Sequence, residues 1–220
     1  MSDVLKQTGA TMAYSVIVAD DHALVRQGVK GAIEAGEDFE VAAEAADGIQ
    51  AIIQVKKHRP DLLVLDIAMP HSNGIEVIDE VHRWSPETKI LVLTGLTTGG
   101  VLRQARQAGA DGVFLKSDDI DALLGAARDI MAGREVFSPR VREALDRPAL
   151  GADLTPRERQ VLQALARGDT IALIADRLGI SANTADKHRT SIMRKLGVHS
   201  AGELMALAHR EGLLEISRHT

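Results

Sequence analysis

Apolar and polar positions follow two alternating periods over residues 14–134. Runs of strand length occur at Ser15–Ala19, Val41–Ala45, Leu62–Leu65, Ile90–Leu93 and Val113–Leu115. Between them, apolar residues recur every three to four positions over Ala23–Ala35, Ile49–His58, Ile75–Trp84, Val101–Ala108 and Ile120–Met131, the spacing of amphipathic helices. Five strand–helix repeats predict right-handed crossovers and a parallel sheet covered on both faces. The run at 62–65 is apolar throughout, as a strand buried on both faces must be, and it ends abruptly on Asp66. The expected class is an α/β doubly wound fold, a five-stranded parallel sheet in the flavodoxin-like order 2-1-3-4-5.

The rhythm breaks at residues 135–152, where Pro139, Pro148 and Gly151 punctuate a polar stretch. This reads as a linker with a short helix at Val141–Leu145. After it the strands stop, and residues 153–220 read as an all-α module of four helices. Thr155-Pro156-Arg157-Glu158 has the form of a capping box with proline at the first helical position. Thr170 and Ser181 open the next two helices, Gly179 and Gly197 close them, and Ser200-Ala201-Gly202-Glu203 predicts a second box. The domain expectation is an N-terminal extension at 1–13, an α/β domain at 14–134, a linker at 135–152 and the helical module at 153–220. Met12, just ahead of the first strand, is a candidate functional start.

Composition narrows the function. No stretch approaches ~18 uninterrupted apolar residues, so no membrane-spanning helix is expected. With no cysteine there is no thiolate metal site or disulfide framework, and a reducing, cytoplasmic setting is the default. One Trp, one Tyr and three Phe are too few for base-stacking recognition of single strands. The net charge of −5 is unevenly divided: residues 153–220 carry 10 Lys and Arg against 8 Asp and Glu, and the rest is acidic. A mildly basic second part is compatible with a polyanionic partner. His188, His199 and His209 lack the tight spacing of zinc ligands.

In a doubly wound sheet the residues at the carboxyl ends of the strands converge on one crevice. Here they are Asp20 and Asp21 after the first strand, Asp66 after the third, Thr94 at the fourth and Lys116 after the fifth. Two carboxylates ~4 Å apart repel by roughly 4 kcal/mol at an effective dielectric near 20, so three need compensation. Lys116 offsets one charge, and a hard divalent cation, Mg2+ or Mn2+, suits the remainder. A carboxylate held against a cation and an ammonium is placed to attack a phosphoryl group. Asp66, fixed by its buried strand, is the expected acceptor, with Thr94 hydrogen-bonding the product.

On these residues, together with Met69-Pro70, Gly74 and the run GADGVFLKS ending at Ser117, residues 14–134 resemble the receiver domain of bacterial two-component response regulators. The resemblance implies phosphotransfer from a sensor histidine kinase to Asp66. It implies Asp21 as a direct metal ligand, Asp20 acting through water, and the backbone carbonyl of Ala68 as a further ligand. Receiver domains commonly carry an aromatic three positions before the lysine, and here that switch position is Val113. Phe114 is no replacement, because one step along a strand reverses the face. Gly95 likewise stands where a larger residue is usual. Both departures predict weak coupling on the 90–102 side of the domain.

Residues 153–215 resemble the LuxR-type helix-turn-helix of the NarL/FixJ class through LTPRERQVLQALARG and ADRLGISANTADKHRTSIMRKLGVHS. Ile171–Leu178 is then the first helix, Gly179 the turn, and the helix after Ser181 the recognition helix. Ala185, Ile192 and Leu196 form its inner stripe, with Asn183, Asp186, Lys187, Thr190, Ser191 and Arg194 outward. By resemblance Asp186, Lys187 and Thr190 face bases, and Arg189, Arg194 and Lys195 face phosphates. The resemblance also implies a dimer contact on the last helix, for which Met205 and Leu207 are the candidates. Asp186 stands where lysine is frequent, so it either accepts from a cytosine amine or weakens binding.

The implied protein is a phosphorylation-controlled transcription factor. It dimerises when phosphorylated and binds double-stranded promoter DNA, with RNA polymerase a further candidate partner. Two other readings are a DNA-binding regulator with a degenerate switch and an aspartyl-phosphate phosphatase. The phosphatase needs an acid two residues after the nucleophile, where this chain has Ala68.

Overall fold

The computed structural model describes residues 13–69, 74–147 and 153–208, and the backbone of 209–210. The Met12 start, Pro70, the breaks at Pro148 and Gly151, and the chain beyond 210 lie outside the described residues.

The first part alternates β1 (Tyr14–Ala19), α1 (Ala23–Glu34), β2 (Phe39–Ala45), α2 (Gly48–His58), β3 (Leu62–Leu65), α3 (Gly74–Trp84), β4 (Lys89–Thr94), α4 (Gly99–Gln107), β5 (Gly112–Leu115) and α5 (Ala122–Met131). With a sixth strand, β6 (Val136–Phe137), all strand pairs are parallel and the order is β2-β1-β3-β4-β5-β6. Because β3 lies between β1 and β4, both its faces are covered, and Leu62, Leu63, Val64 and Leu65 are all buried. Each such side chain stabilises the fold by about 1.5–3 kcal/mol relative to exposure. At the edge, β2 alternates instead, with Glu40, Ala42 and Glu44 exposed.

The sixth strand is a departure from the expected five. β6 (Val136–Phe137) and α6 (Pro139–Asp146) occupy most of the stretch read as linker. The Val136 N–H donates to the Asp111 carbonyl at 3.0 Å and the Ser138 N–H to the Val113 carbonyl at 3.1 Å, extending the sheet beyond β5. A strand of two residues has no readable period, and its partner supplies the order. The chain divides into two compact units, and the sheet unit runs on to Val141, whose side chain is fully buried. Residues 97–103 group instead with the second unit.

The second unit holds α7 (Pro156–Ala166), α8 (Ile171–Leu178), α9 (Ala182–Leu196) and α10 (Ala201–Arg210). Thr155 accepts from the Glu158 N–H while Glu158 accepts from the Thr155 N–H, completing the predicted box. Thr170 and Ser181 cap α8 and α9 with side-chain oxygens, each such cap stabilising by about 1 kcal/mol. Gly179 ends α8 at φ 62°, a left-handed turn that glycine adopts without Cβ strain. Leu154, Val161, Leu162, Ile174, Ala185, Ile192 and Leu204 pack into a core of their own. At the head of α10, Ser200 caps the Glu203 N–H, but Glu203 reaches past it to the His199 N–H at 2.8 Å, so the second box is offset by one residue.

Candidate functional site

Hydrogen bonds continuing the sheet ladder hold the strand-end residues in place. The Asp20 N–H donates to the Ala45 carbonyl, the Asp66 N–H to Ala19 and the Lys116 N–H to Thr94, at 3.1, 2.8 and 2.8 Å. Their side chains are thereby aimed from fixed backbone. Lys116 Nζ lies 2.6 Å from Asp20 Oδ2 and 2.6 Å from Asp66 Oδ2. The remaining oxygens are also engaged: Asp20 Oδ1 accepts from the His22 N–H and Asp66 Oδ1 from the Ala68 N–H, both at 2.8 Å. Asp20 and Asp66 are buried and Asp21 is half-buried.

One donor atom from each of Asp20, Asp21, His22 and Asp66 lies within 4.8 Å of every other. Opposite vertices of an octahedron with ~2.1 Å bonds are ~4.2 Å apart, so donors within 4.8 Å need close in by no more than ~0.6 Å to share one small cation. Three carboxylates and one ammonium leave a formal charge of −2, which a divalent ion would balance. Burial works against the Lys116 charge, but its bonds to Asp20 and Asp66 more than compensate and hold its pKa above the ordinary lysine value. The acidic pocket therefore fits a divalent ion by number, spacing and charge.

Thr94 is fully buried, and its Oγ accepts from the Leu96 N–H at 3.1 Å. Val113 is also fully buried, while Phe114 packs with Val16, Val18, Leu91 and Leu123 in a core cluster that lacks Val113. Gly74 opens α3 against the Asp66 loop, where an added Cβ would lie 2.3 Å from Ile67 Cα. Only glycine fits that approach.

On α9 several of the expected residues already have partners within the module. Lys187, Thr190 and Arg194 are exposed. Asp186 Oδ1 pairs with the Arg189 guanidinium at 2.7 Å, and Thr190 Oγ donates back to the Asp186 carbonyl. The Lys195 ammonium, expected at phosphates, donates to Glu158 Oε2 at 2.7 Å and to the Asp153 carbonyl at 3.1 Å. Ser191, expected outward, donates to Glu158 Oε1 at 2.7 Å. Buried Glu158 thus ties α7 to α9, and Lys195, Ser191 and the Thr155 N–H hold its pKa down to about 2. On α10, Leu204 and Ala208 are buried in the module, leaving Met205 and Leu207 half-buried.

Two participants escaped the reading of strand ends and helix faces. His22 follows the acidic pair directly, and the run Asp20-Asp21-His22 was its signal. Glu158 was assigned only a cap, although its second oxygen was free for a partner on another helix.

Residues 16–128 match the family described as "Response regulator receiver domain", and residues 152–208 match "Bacterial regulatory proteins, luxR family". Among curated relatives, oxygen regulatory protein NreC of Staphylococcus epidermidis is 34% identical over 215 residues, covering 91% of this chain and 99% of the relative. NreC of Staphylococcus carnosus is 32% identical over 214 residues with the same coverage. Among solved structures, two RcsB dimers bound to two parallel DNAs match with TM-score 0.72 at 28% identity, over 90% of this chain and 98% of that one. RcsB from Salmonella enterica serovar Typhimurium, bound to a promoter in the presence of phosphomimetic BeF3-, matches with TM-score 0.70 at 28% identity and the same coverage. No described helix is long and apolar enough to cross a membrane. With a receiver domain joined to a LuxR-type helix-turn-helix, the chain belongs to the two-component response regulators of the NarL/FixJ class, and it is a DNA-binding transcriptional regulator.

Proposed function

We propose that Asp66 accepts a phosphoryl group from a sensor histidine kinase and that its phosphorylation promotes dimerisation and promoter binding in the cytoplasm. The observation that carries this reading is the pairing of the buried Asp66 carboxylate with Lys116 inside a pocket of two further acids. An Asp66 oxygen attacks phosphorus, the new P–O bond forms as the P–N bond to the kinase imidazole breaks, and the departing imidazole takes a proton from water. Asp20, Asp21, Asp66 and the Ala68 carbonyl would hold Mg2+ or Mn2+, which when bound neutralises charge on the phosphoryl oxygens. Lys116 shifts its donation from the free carboxylate to the phosphoryl group. Thr94, which accepts from Leu96, still has its hydroxyl hydrogen to donate to the product. Hydrolysis of the acyl phosphate is slow, because Ala68 offers no acid or base two residues on.

In the second unit, α9 enters the major groove. Lys187 and Thr190 read base edges, with Asp186 beside them. Arg189, Arg194 and Lys195 hold phosphates, and Lys195 also braces the helix through Glu158. Met205 and Leu207 meet a second copy, and two modules on one site gain affinity through local concentration. RNA polymerase is a further partner of the bound dimer.

Two observations favour a second reading, DNA binding without a phosphorylation switch. Val113 is fully buried with no ring to swing, and Gly95 has no atom within 4 Å of where a Cβ would stand. Incubation with a small phosphodonor and Mg2+, followed by intact-mass measurement, tests the main reading. Wild type should gain one phosphoryl group and Asp66→Asn none. No gain in wild type would refute it.

A further inference from the structure

Resting on the reading of the acidic pocket as a divalent-cation site, we propose that the His22 imidazole is an additional ligand that biases this pocket toward nitrogen-accepting metals. Mn2+ and Co2+ are then bound in preference to Mg2+. His22 Nδ1 lies 2.7 Å from Asp21 Oδ1 and 3.4 Å from Asp20 Oδ1. Neighbouring vertices of an octahedron with ~2.1 Å bonds are ~3.0 Å apart, so these two separations bracket the edge of a shared coordination sphere. The same imidazole belongs to the group whose donor atoms all lie within 4.8 Å, Asp66 included.

Among the described residues the ring contacts only the acidic pair Asp20 and Asp21. His22 stands at the N-cap of α1, yet its side chain makes no capping bond. Its backbone N–H makes the structural contact, to Asp20 Oδ1 at 2.8 Å, and any residue there could supply it. The side chain is 67% exposed, so it fills no core position. The bland account is that the ring only hydrogen-bonds Asp21. The two accounts differ chemically. A hydrogen-bonded ring leaves an all-oxygen coordination sphere suited to Mg2+. A ligating ring supplies a nitrogen, and imidazole raises affinity for transition ions in the order in which they bind nitrogen. As a neutral donor it also completes the sphere without altering the charge balance between the carboxylates, Lys116 and a divalent ion.

The test uses Mn2+ on the full chain, read by pulsed electron paramagnetic resonance for nitrogen-14 modulation of the bound ion. Affinities for Mg2+, Mn2+ and Co2+ are measured in parallel by competition. Wild type should show imidazole modulation that disappears in His22→Ala. The preference for Mn2+ over Mg2+ should fall about tenfold in the variant, mainly through weaker Mn2+ binding. His22→Asn, which restores a good N-cap residue without a ring nitrogen, should match His22→Ala, and thermal melts of both should overlay wild type. Modulation that persists in the variants, its absence in wild type with Mn2+ bound, or an unchanged metal preference would each overturn the role of His22. Wild type that binds none of the three ions would overturn the cation site itself, and the ligand role with it.

Discussion

The Lys116 ammonium lies 2.6 Å from Asp66 Oδ2, across 50 positions of sequence, and the same atom lies 2.6 Å from Asp20 Oδ2. One cation therefore answers two buried carboxylates. The sheet pins all three backbones, so the cluster cannot relax by spreading apart.

Removing that cation should be costly. Lys116→Met leaves the two carboxylates buried without a counter-charge, and breaking a buried ionic cluster in this way costs about 3–5 kcal/mol. Urea unfolding should show that loss without divalent ions, and partial recovery with Mg2+, which supplies charge at the same place. A change under about 1 kcal/mol would mean that the cluster is effectively solvated.

Glycine 74 and glycine 95 make opposite predictions. Gly74→Ala places a methyl 2.3 Å from Ile67 Cα, a backbone atom next to Asp66, and should destabilise by about 1–3 kcal/mol while slowing phosphorylation. Gly95→Ala meets nothing within 4 Å and should stay within about 0.5 kcal/mol of wild type. Equilibrium unfolding of the two variants side by side measures the contrast.

Acid should weaken the helical module through Glu158. Its pKa is depressed to about 2 in the folded state, below an unfolded value of about 4.3, so the folded form favours the ionised carboxylate. The resulting stability is present above pH about 4.3 and is lost as pH falls toward about 2. Glu158→Gln should flatten this limb of a melting-temperature profile and be less stable than wild type at neutral pH. Parallel acid limbs would show that Glu158 is not the titrating group.

The Asp186–Arg189 pair bears on DNA affinity. Asp186→Lys removes an acid, adds a base and releases the Arg189 guanidinium from its 2.7 Å contact. Binding to non-specific duplex should tighten, and its salt dependence should steepen by about one to two units of log–log slope. An unchanged slope in a salt titration would place Asp186 away from the duplex.

These contacts differ in how plainly the chain announces them. Leu62–Leu65 followed by Asp66 is legible because a central parallel strand needs apolar residues on both faces, and the rule for strand ends then gathers Asp20, Asp21, Thr94 and Lys116. The β6 pair Val136–Phe137 is not legible, since its order comes from the carbonyls of Asp111, just before β5, and Val113 on β5. The helical period puts Ser191 on an outer face, and the resemblance puts Lys195 at phosphates. A period gives angle around the axis but cannot show that Glu158 of another helix waits beside them. His22 is not legible in the same way, because the strand-end rule yields the acidic pair Asp20-Asp21 and the turn delivers a third donor beyond it.

The most direct test of the account measures DNA affinity at fixed salt with and without a phosphodonor and Mg2+, for wild type and Asp66→Asn, on a duplex bearing the protein's own promoter site. Phosphorylated wild type should bind at least about tenfold tighter than unphosphorylated, a gain arising from dimerisation, and Asp66→Asn should not respond to the donor. Equal affinities for wild type in both states, with the phosphoryl group present by mass, would contradict control of DNA binding from Asp66.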